Sequence, residues 1–252
     1  MTNKVLPKTA LISVSNKSGI VTFAKLLQKN GVKIFATGGT ASALKGAGIR
    51  VSKVSSISRF PEIFGGRVKT LSPYISGGIL GQRDKDKAEA KKNNITWIDL
   101  VVCNLYPFSD VAKNTNSTMD EKIENIDIGG PTMIRAAAKN FKWASVVISP
   151  KDYRSVGTAI SNGGLTEKRR FSLAKKAFSH CAEYDQTIFE ALSGKTPEHD
   201  SLRYGENPHQ QAFVVKGDMP SSLGVPQAKQ YQGKALSYNN FLDGDAALQC
   251  LS

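Results

Sequence analysis

Cysteine is scarce in this sequence of 252 residues, and so are long apolar runs. The three cysteines, Cys103, Cys181 and Cys250, have neither CxxC nor CxxH spacing, which argues against a disulfide framework and against a zinc site. No apolar run approaches the roughly 18 residues that a membrane span needs, and the first residues lack the apolar stretch of a signal peptide. We therefore expect a cytoplasmic protein in a reducing compartment, with no bound metal and no membrane partner.

Internal repeats and low-complexity segments are also absent, whereas positive charge is abundant. Lys and Arg number 34 against 21 Asp and Glu, which gives a formal net charge of +13. The hydrophobic share of 40% is typical of a globular protein. The densest clusters lie within residues 85–92 and 168–176, in predicted polar helices, so we interpret them as solvated helix faces. Attraction of anionic small molecules and attraction of polynucleotides are the alternatives, and charge alone does not separate them.

Apolar runs alternate with helix-like patterns in the first half of the chain, which predicts βα units and a parallel sheet. We predict strands at 9–14, 32–36, 51–54, 98–105 and 144–148, and helices at 17–29, 40–46, 118–125 and from 129. A long helix is predicted over 166–192. Its apolar residues recur at three- and four-residue spacing, and we expect core packing for Phe171, Ala174, Phe178, Cys181, Ile188 and Leu192.

The chain is predicted to contain three segments. Residues 1–150 form the α/β core, residues 151–200 a helical extension that ends in a linker at 193–197, and residues 201–252 the incomplete start of another domain. The last segment is too short for an ordinary independent core, and the sequence stops within a helix predicted to start near Asp243. We expect one complete domain followed by the opening of a second.

Two predicted strand–helix turns carry groups suited to a phosphate monoester. The first consists of Thr37, Gly38, Gly39 and Thr40. Its glycines allow close approach of the backbone, the helix start presents free N–H donors, and the threonine hydroxyls add further donors. The second consists of Ser15, Asn16 and Lys17. Because ligands collect at the carboxyl ends of parallel strands, the two loops are expected to converge. A plain turn and helix capping, respectively, are the alternatives.

Residues 65–73 are polar and glycine-rich, with Arg67 and Lys69 two positions apart. In an extended segment these two side chains point the same way. We expect them to clamp an anion, or Lys69 to be desolvated so that it loses its proton readily. A surface turn with two solvated cations is the alternative.

Polar residues also follow the strongest predicted strand and precede the helix predicted from 129. Asn104 and Tyr106 fall on one face at the end of that strand. Asp127 comes just before the backbone N–H groups of the helix start, which suits an oxyanion or a polar substrate. On that helix Arg135 and Lys139 share a face. A lysine that merely stabilises the helix dipole is the alternative for Lys139.

Eight ordered motifs span nearly the whole chain. They are SVSNK (13–17), ATGGT (36–40), GRVKT (66–70), CNLYPF (103–108), IDIGG (126–130), RAAAKN (135–140), LRYGENPHQ (202–210) and GKALSYNN (233–240). Together they closely resemble the AICAR transformylase/IMP cyclohydrolase family. The resemblance implies a methylglyoxal-synthase-like, Rossmann-like α/β fold with a parallel sheet flanked by helices. It also implies the beginning of a cytidine-deaminase-like α/β domain after it.

The activity implied by the resemblance is the ring closure of FAICAR, a formamido-imidazole nucleotide, to IMP, the last step of de novo purine biosynthesis. This step needs no cofactor, and members of the family are homodimers. We therefore expect a small nucleotide as the ligand and no nucleic acid partner. In the family a second domain formylates AICAR with 10-formyltetrahydrofolate. Its Lys–His pair does not match His180, His199 or His209, so we expect no formyltransferase activity from this chain alone.

Site residues are carried over by resemblance, motif by motif. The catalytic set is Lys69, Tyr106, Asp127 and Lys139. The substrate-binding set is Ser15, Asn16, Lys17, Thr37, Gly38, Gly39, Thr40, Arg67, Thr70, Asn104, Ile128 and Gly129. Arg203 and Tyr204 match positions that contact the transformylase substrate.

These residues suit a reaction in which an amide nitrogen attacks a formyl carbon of the same molecule, because the protein then mainly has to orient the two groups. Asn104 and Asp127 are expected to hold the carboxamide. Backbone N–H groups at 128–130, with Lys69 or Tyr106, are expected to stabilise the oxygen of the tetrahedral intermediate. One of the two catalytic lysines would supply the proton for the departing water, with a pKa lowered towards about 7–8.

Two other functions remain open from the sequence. A methylglyoxal-synthase-type lyase acting on a triose phosphate is favoured by the TGGT turn, but the motifs at 103–108 and 126–130 weigh against it. A non-catalytic nucleotide-binding module or remnant is favoured by the positive charge and the abrupt C-terminus.

Overall fold

The computed structural model describes residues 4–114, 116–193, 199–215, 225 and 228–251. The chain forms two compact units, Met1–Ile188 and Phe189–Ser252. Residues 194–197 of the predicted linker lie outside the described residues.

A five-stranded parallel sheet forms the centre of the first unit, in the order β4-β3-β2-β5-β6. Its strands are β2 (Thr9–Val14), β3 (Lys33–Ala36), β4 (Ser52–Lys53), β5 (Leu100–Asn104) and β6 (Ser145–Val147). The two central strands, β2 and β5, are almost wholly buried, as continuous apolar runs predict for strands covered on both faces. A short antiparallel pair joins β1 (Lys4–Val5) to β7 (Leu165–Thr166). The predicted α/β, Rossmann-like fold is confirmed.

Helices connect these strands, and a long helix follows the last of them. They are α1 (Ile20–Lys29), α2 (Gly38–Gly46), α3 (Ser55–Ser58), α4 (Pro73–Leu80), α5 (Lys87–Lys92), α6 (Phe108–Lys113), α7 (Met119–Glu124), α8 (Gly129–Lys139), α9 (Tyr153–Ser161) and α10 (Glu167–Ser193). The helix predicted at 118–125 is confirmed as α7, and it begins with a capping box in which the side chains of Thr118 and Glu121 each accept from the other's backbone N–H. The first helix starts at Ile20, later than predicted, because Gly19 adopts a left-handed conformation with φ 71°.

The buried face of α10 differs from the predicted one. Ala174 and Cys181 are buried, but Phe171, Phe178 and Leu192 are 47%, 42% and 43% exposed. The buried positions are Arg170, Leu173, Ala174, Ala177, Cys181 and Tyr184. The prediction is confirmed for Ala174 and Cys181 and wrong for the three exposed residues, because an apolar stripe broad enough to cover two helix faces does not say which face packs against the core.

Arg170 also contradicts the interpretation of the second basic cluster as a solvated face. Its side chain is fully buried. The guanidinium donates to the carbonyl oxygens of Phe141 at 2.7 Å, Lys142 at 2.9 Å and Leu165. Because buried charge is tolerated only when its donors are satisfied, this arginine serves as a bridge between the turn after α8 and strand β7.

The second unit contains the antiparallel pair β8 (His199–Ser201) and β9 (Phe213–Val215), and the helix α11 (Tyr238–Leu251). This last helix begins earlier than the predicted start near Asp243. Ser237 and Asn240 exchange hydrogen bonds in front of it, with Asn240 Oδ1 accepting from the backbone N–H of Ser237 at 3.0 Å. Across the described ranges of both units, no helix combines the length and the apolar character that a membrane crossing requires.

Candidate active site

The chain adds strands on one side of β2, through β3 to β4, and then on the other side, from β5 to β6. The point at which this order reverses, called the switch point of the sheet, therefore lies between β2 and β5. Ligands of open parallel sheets bind at such a point, beyond the carboxyl ends of the strands. A cleft of about 640 Å³ opens there. Its lining includes Ser15, Lys17, Thr37, Gly39, Thr40, Arg67, Lys69, Thr70, Asn104, Tyr106, Asp127, Ile128 and Gly129. The structure therefore brings together most of the site residues predicted from the sequence.

The N-terminus of α2 faces the cleft with free backbone donors. The first hydrogen bond of the helix runs from Ala41 N–H to Thr37 C=O at 2.7 Å, and no side chain caps the helix. The N–H groups of Gly38, Gly39 and Thr40 precede that bond and have no partner within the helix. These donors, together with the helix dipole, suit a phosphate. Gly38 itself lines a neighbouring cavity of about 630 Å³.

The threonine hydroxyls of this turn are engaged within the protein. Thr40 Oγ1 accepts from the N–H of Val14 at 3.1 Å and donates to the C=O of Val14 at 3.2 Å. Thr37 Oγ1 donates to Ser13 Oγ at 3.0 Å. The expectation that both hydroxyls serve a ligand is therefore wrong for Thr40, whose hydroxyl ties α2 to the end of β2.

Asn104 orders the loop after β2. Its Oδ1 accepts from the backbone N–H groups of Ser15 at 2.7 Å and Asn16 at 2.9 Å, and its Nδ2 donates to the C=O of Asn16 at 3.0 Å. The side chain of Asn16 is occupied in turn by the N–H of Ser18 at 2.9 Å. The loop is thus held by a side chain from the neighbouring strand, and Lys17 is the exposed cation that it presents to the cleft.

The segment that carries Arg67 and Lys69 follows a tight turn and is not extended, so the alternation considered for the two side chains does not apply. Residues Phe64–Gly66 form a 3₁₀ turn closed by a bridge between Ile63 and Val68. Its tip adopts left-handed conformations that favour glycine, with φ values of 63° at Gly65 and 95° at Gly66. The turn folds over the cleft, so both cations line it although alternation does not align them. Arg67 also pairs with Glu124 of α7 at 3.6 Å, on the surface.

Asp127 lies at the start of α8, with its carboxylate bound to that helix. Its Oδ1 accepts from the N–H of Gly130 at 2.8 Å. Burial raises the pKa of Asp127, while the hydrogen bond from Gly130, the charge of Lys69 and the hydrogen bond from Gly129 act in the opposite direction. The glycines are needed for this close approach: a Cβ at Gly130 would strike the Asp127 carboxylate, and one at Gly129 would strike the hydroxyl of Thr70.

This arrangement changes one expectation about the intermediate. The N–H groups at the start of α8 were expected to stabilise the oxygen of the substrate, but the structure uses them to bind Asp127. Lys69 and the half-exposed Tyr106 remain as the donors on this side of the cleft.

Two residues that lie near the site were not predicted from the sequence. Tyr184 of α10 accepts a hydrogen bond from the backbone N–H of Asp127 at 2.8 Å. The carboxylate of Glu62 lies beside the start of α2, with Oε2 3.7 Å from the position of a Cβ at Gly38 and Oε1 2.6 Å from that of a Cβ at Gly66. No local motif points to either residue, because each reaches the site through the tertiary fold.

Lys139 is the predicted catalytic residue that the structure keeps apart. It is exposed at the last position of α8. At a rise of 1.5 Å per residue, it lies about 15 Å along the axis from Gly129, and it does not line the cleft. Its catalytic role stays a prediction.

Arg203 and Tyr204 lie in the second unit. The guanidinium of Arg203 donates to Tyr204 Oη at 3.2 Å and lies 5.0 Å from the tyrosine ring. Hydrogen bonds from Ser237 and then Arg203 lower the pKa of Tyr204. Their contact with a transformylase substrate also stays a prediction. Within the part of the chain that is described, no group of three or more His, Cys, Asp and Glu side chains is placed to hold a metal ion.

Comparison with known proteins adds to this geometry. The family model described as "AICARFT/IMPCHase bienzyme" matches residues 137–252, and that of an "MGS-like domain" matches residues 19–132. The bifunctional purine biosynthesis proteins PurH of Staphylococcus aureus strains Newman and COL are each 49% identical over 243 residues, which cover 96% of this chain and 49% of theirs. The chain thus spans about half the length of these curated relatives. The crystal structure of ForH matches with a TM-score of 0.65 at 35% identity, over 74% of this chain and 99% of that one.

Proposed function

The chain belongs to the AICARFT/IMPCHase bienzyme family, the family of bifunctional purine biosynthesis proteins, and from this premise we propose that its cleft is an IMP cyclohydrolase site. The substrate would be FAICAR and the products IMP and water. The observation that carries the proposal is the meeting of three groups in one cleft: the free N–H donors of α2, the ammonium group of Lys69 and the carboxylate of Asp127.

The phosphate of the nucleotide is assigned to the N-terminus of α2. Its free N–H groups and dipole favour a doubly charged anion, and Lys17 from the loop after β2 adds a positive charge at the same edge. Arg67 lines the cleft but shares its charge with Glu124. The phosphate therefore fixes one end of the substrate, which leaves the imidazole to extend towards β5 and α8.

The reacting groups are assigned to the side of the cleft formed by Asp127 and Lys69. The carboxamide nitrogen of FAICAR attacks the formyl carbon and loses one proton, the formamido nitrogen loses another, and the formyl oxygen leaves as water. Oδ2 of Asp127 is the carboxylate oxygen not bound to Gly130 N–H, so it can accept an N–H of the carboxamide and orient its nitrogen. Lys69 and Tyr106 are then the donors to the oxygen that gains charge in the transition state.

Several further properties belong to this proposal. The ring closure would need no cofactor, because its atoms balance without one. We propose a homodimer in the cytoplasm, and a contact of Arg203 and Tyr204 with the substrate of the transformylase reaction. 10-Formyltetrahydrofolate is the formyl donor of that second reaction in the family, and no step at the cleft depends on it.

A direct assay tests the proposal. The purified chain is incubated with FAICAR, and IMP is followed by its absorbance. A rate well above the uncatalysed closure is expected, and no excess over that rate would refute the proposal. Lys69→Ala should lower kcat more than Tyr204→Ala does, because only Lys69 lies in the cleft. An equal or larger loss with Tyr204→Ala would reject the assignment of the site.

A methylglyoxal-synthase-type lyase is the second candidate, and the match to the MGS-like domain over residues 19–132 favours it. One measurement separates the two enzymes, namely methylglyoxal formation from dihydroxyacetone phosphate by the same preparation. Binding of IMP in calorimetry without any turnover would instead indicate a non-catalytic nucleotide-binding module.

A further inference from the structure

We propose that Tyr184 of α10 is a positioning residue for ring closure, whose hydroxyl fixes the peptide of Asp127 so that the carboxylate faces the substrate. The proposal rests on the proposed function. Its basis is the hydrogen bond of 2.8 Å from the backbone N–H of Asp127 to Tyr184 Oη, together with the surroundings of the two residues.

Tyr184 is itself held in place. Its side chain is buried, at 8% exposure, and its ring packs edge-on against Phe108 with centroids 6.2 Å apart and an interplanar angle of 70°. Phe108 is 1% exposed at the start of α6. Burial also raises the pKa of Tyr184, so the hydroxyl keeps its proton at neutral pH and accepts the N–H through a lone pair.

Asp127 depends on hydrogen bonds for its position, because open space lies on two sides of it. It lines the cleft and also a separate cavity of about 410 Å³ bounded by residues of α8 and α10, among them Arg135, Asp185 and Ile188. Three hydrogen bonds hold it: the N–H groups of Gly130 and Gly129 bind the carboxylate, and Tyr184 Oη accepts from the backbone N–H.

The bond from α10 gives the helical extension a role in the chemistry. The MGS-like match ends at residue 132 and contains the phosphate turn, Lys69 and Asp127, but not Tyr184. The extension would thus add to an MGS-like phosphate site the support that holds a carboxylate against a carboxamide. Because a misplacement of about 1 Å costs on the order of 100-fold in rate, the loss of the bond to Tyr184 is expected to lower kcat measurably.

The test compares two tyrosines. Tyr184→Phe removes only the hydroxyl, and Tyr153→Phe is the matched control, since Tyr153 is 6% exposed and its buried hydroxyl has no hydrogen-bond partner among the described residues. We expect Tyr184→Phe to lower kcat by on the order of 10-fold, the value of one hydrogen bond, with KM changed by less than about 2-fold. The control should change neither parameter, and thermal unfolding of both variants should show folded proteins.

A double-mutant cycle distinguishes positioning from a general structural effect. If Tyr184 acts through Asp127, Tyr184→Phe should cost less than about 2-fold in an Asp127→Asn background. The same loss in both backgrounds would overturn the proposal. So would a loss in Tyr153→Phe as large as that in Tyr184→Phe.

Amide hydrogen exchange provides a readout that does not depend on activity. The Asp127 N–H should exchange faster in Tyr184→Phe than in the wild type, and at the wild-type rate in Tyr153→Phe. An unchanged exchange rate in Tyr184→Phe would overturn the proposal. A wild-type chain that forms no IMP but shows the expected exchange would refute the proposed function alone, and the hydroxyl would still be established as the anchor of that peptide.

Discussion

Replacing Asp127 with Asn should affect kcat and the stability of the folded protein in different ways. Oδ1 of Asp127 accepts from Gly130 N–H at 2.8 Å, and an Asn side chain retains that acceptor. The other oxygen becomes an NH₂ donor. A substrate carboxamide that offers an N–H would then face a donor, so one hydrogen bond to a charged acceptor is lost. Such a bond contributes about 1.5–3 kcal/mol, and we therefore expect kcat for IMP formation to fall about 10- to 150-fold.

The stability of Asp127→Asn relative to the wild type should increase as the pH rises. Burial raises the pKa of Asp127 above its ordinary value of 3.8, so the unfolded chain releases this proton at a lower pH than the folded protein does. The carboxyl group therefore contributes stability at low pH that is lost as the pH rises through the folded-state pKa. Asn does not titrate, so Asp127→Asn should become more stable relative to the wild type between pH 4 and pH 8.

The assay is thermal unfolding of both proteins across that pH range, combined with the FAICAR assay at pH 7.5. A stability difference that moves against the variant as the pH rises would show that the folded environment favours the charged carboxylate, which contradicts the argument from burial. An unchanged kcat would show that Asp127 does not bind the carboxamide.

Three further predictions concern other residues. Glu62→Gln should tighten IMP binding in calorimetry by about 1.5- to 5-fold, because a carboxylate beside the phosphate position is removed; weaker binding would mean that Glu62 assists the ligand. Gly130→Ala should abolish most activity and lower the free energy of unfolding by about 1–3 kcal/mol in urea, since its Cβ would strike Asp127 and Leu105; a fully active variant would contradict the close approach. Arg170→Met should lower that free energy by about 3 kcal/mol, because carbonyl groups lose their donors; equal stability would indicate that water replaces the guanidinium.

Much of the sheet and the TGGT turn was evident in the sequence. The strand predicted at 9–14 matches β2 residue for residue, since a buried parallel strand is a continuous apolar run between polar loops. The position of the TGGT turn between β3 and α2 followed from the same alternation. The convergence of this turn with the loop at 15–17 followed from the rule that ligands collect at the carboxyl ends of parallel strands.

Other features depended on contacts between distant parts of the chain. The apolar positions of α10 occupy more than one face, and only packing decided that Tyr184 and not Phe178 points inwards. The hydroxyl of Thr40 was expected to bind a ligand, yet the end of β2 occupies it. Lys139 was grouped with the site by its motif, but the length of α8 places it at the other end of that helix.

The sequence by itself determined the parallel α/β sheet, the family and the loops that form the cleft, because periodicity, glycine positions and ordered motifs are local properties. Only the tertiary structure decided which polar groups remain free for a ligand and which are consumed by the protein. The physical reason is that a hydrogen-bonding group can serve the fold or the substrate, and its partner across the chain, such as Tyr184 for Asp127 at 2.8 Å, leaves no trace in the spacing of residues.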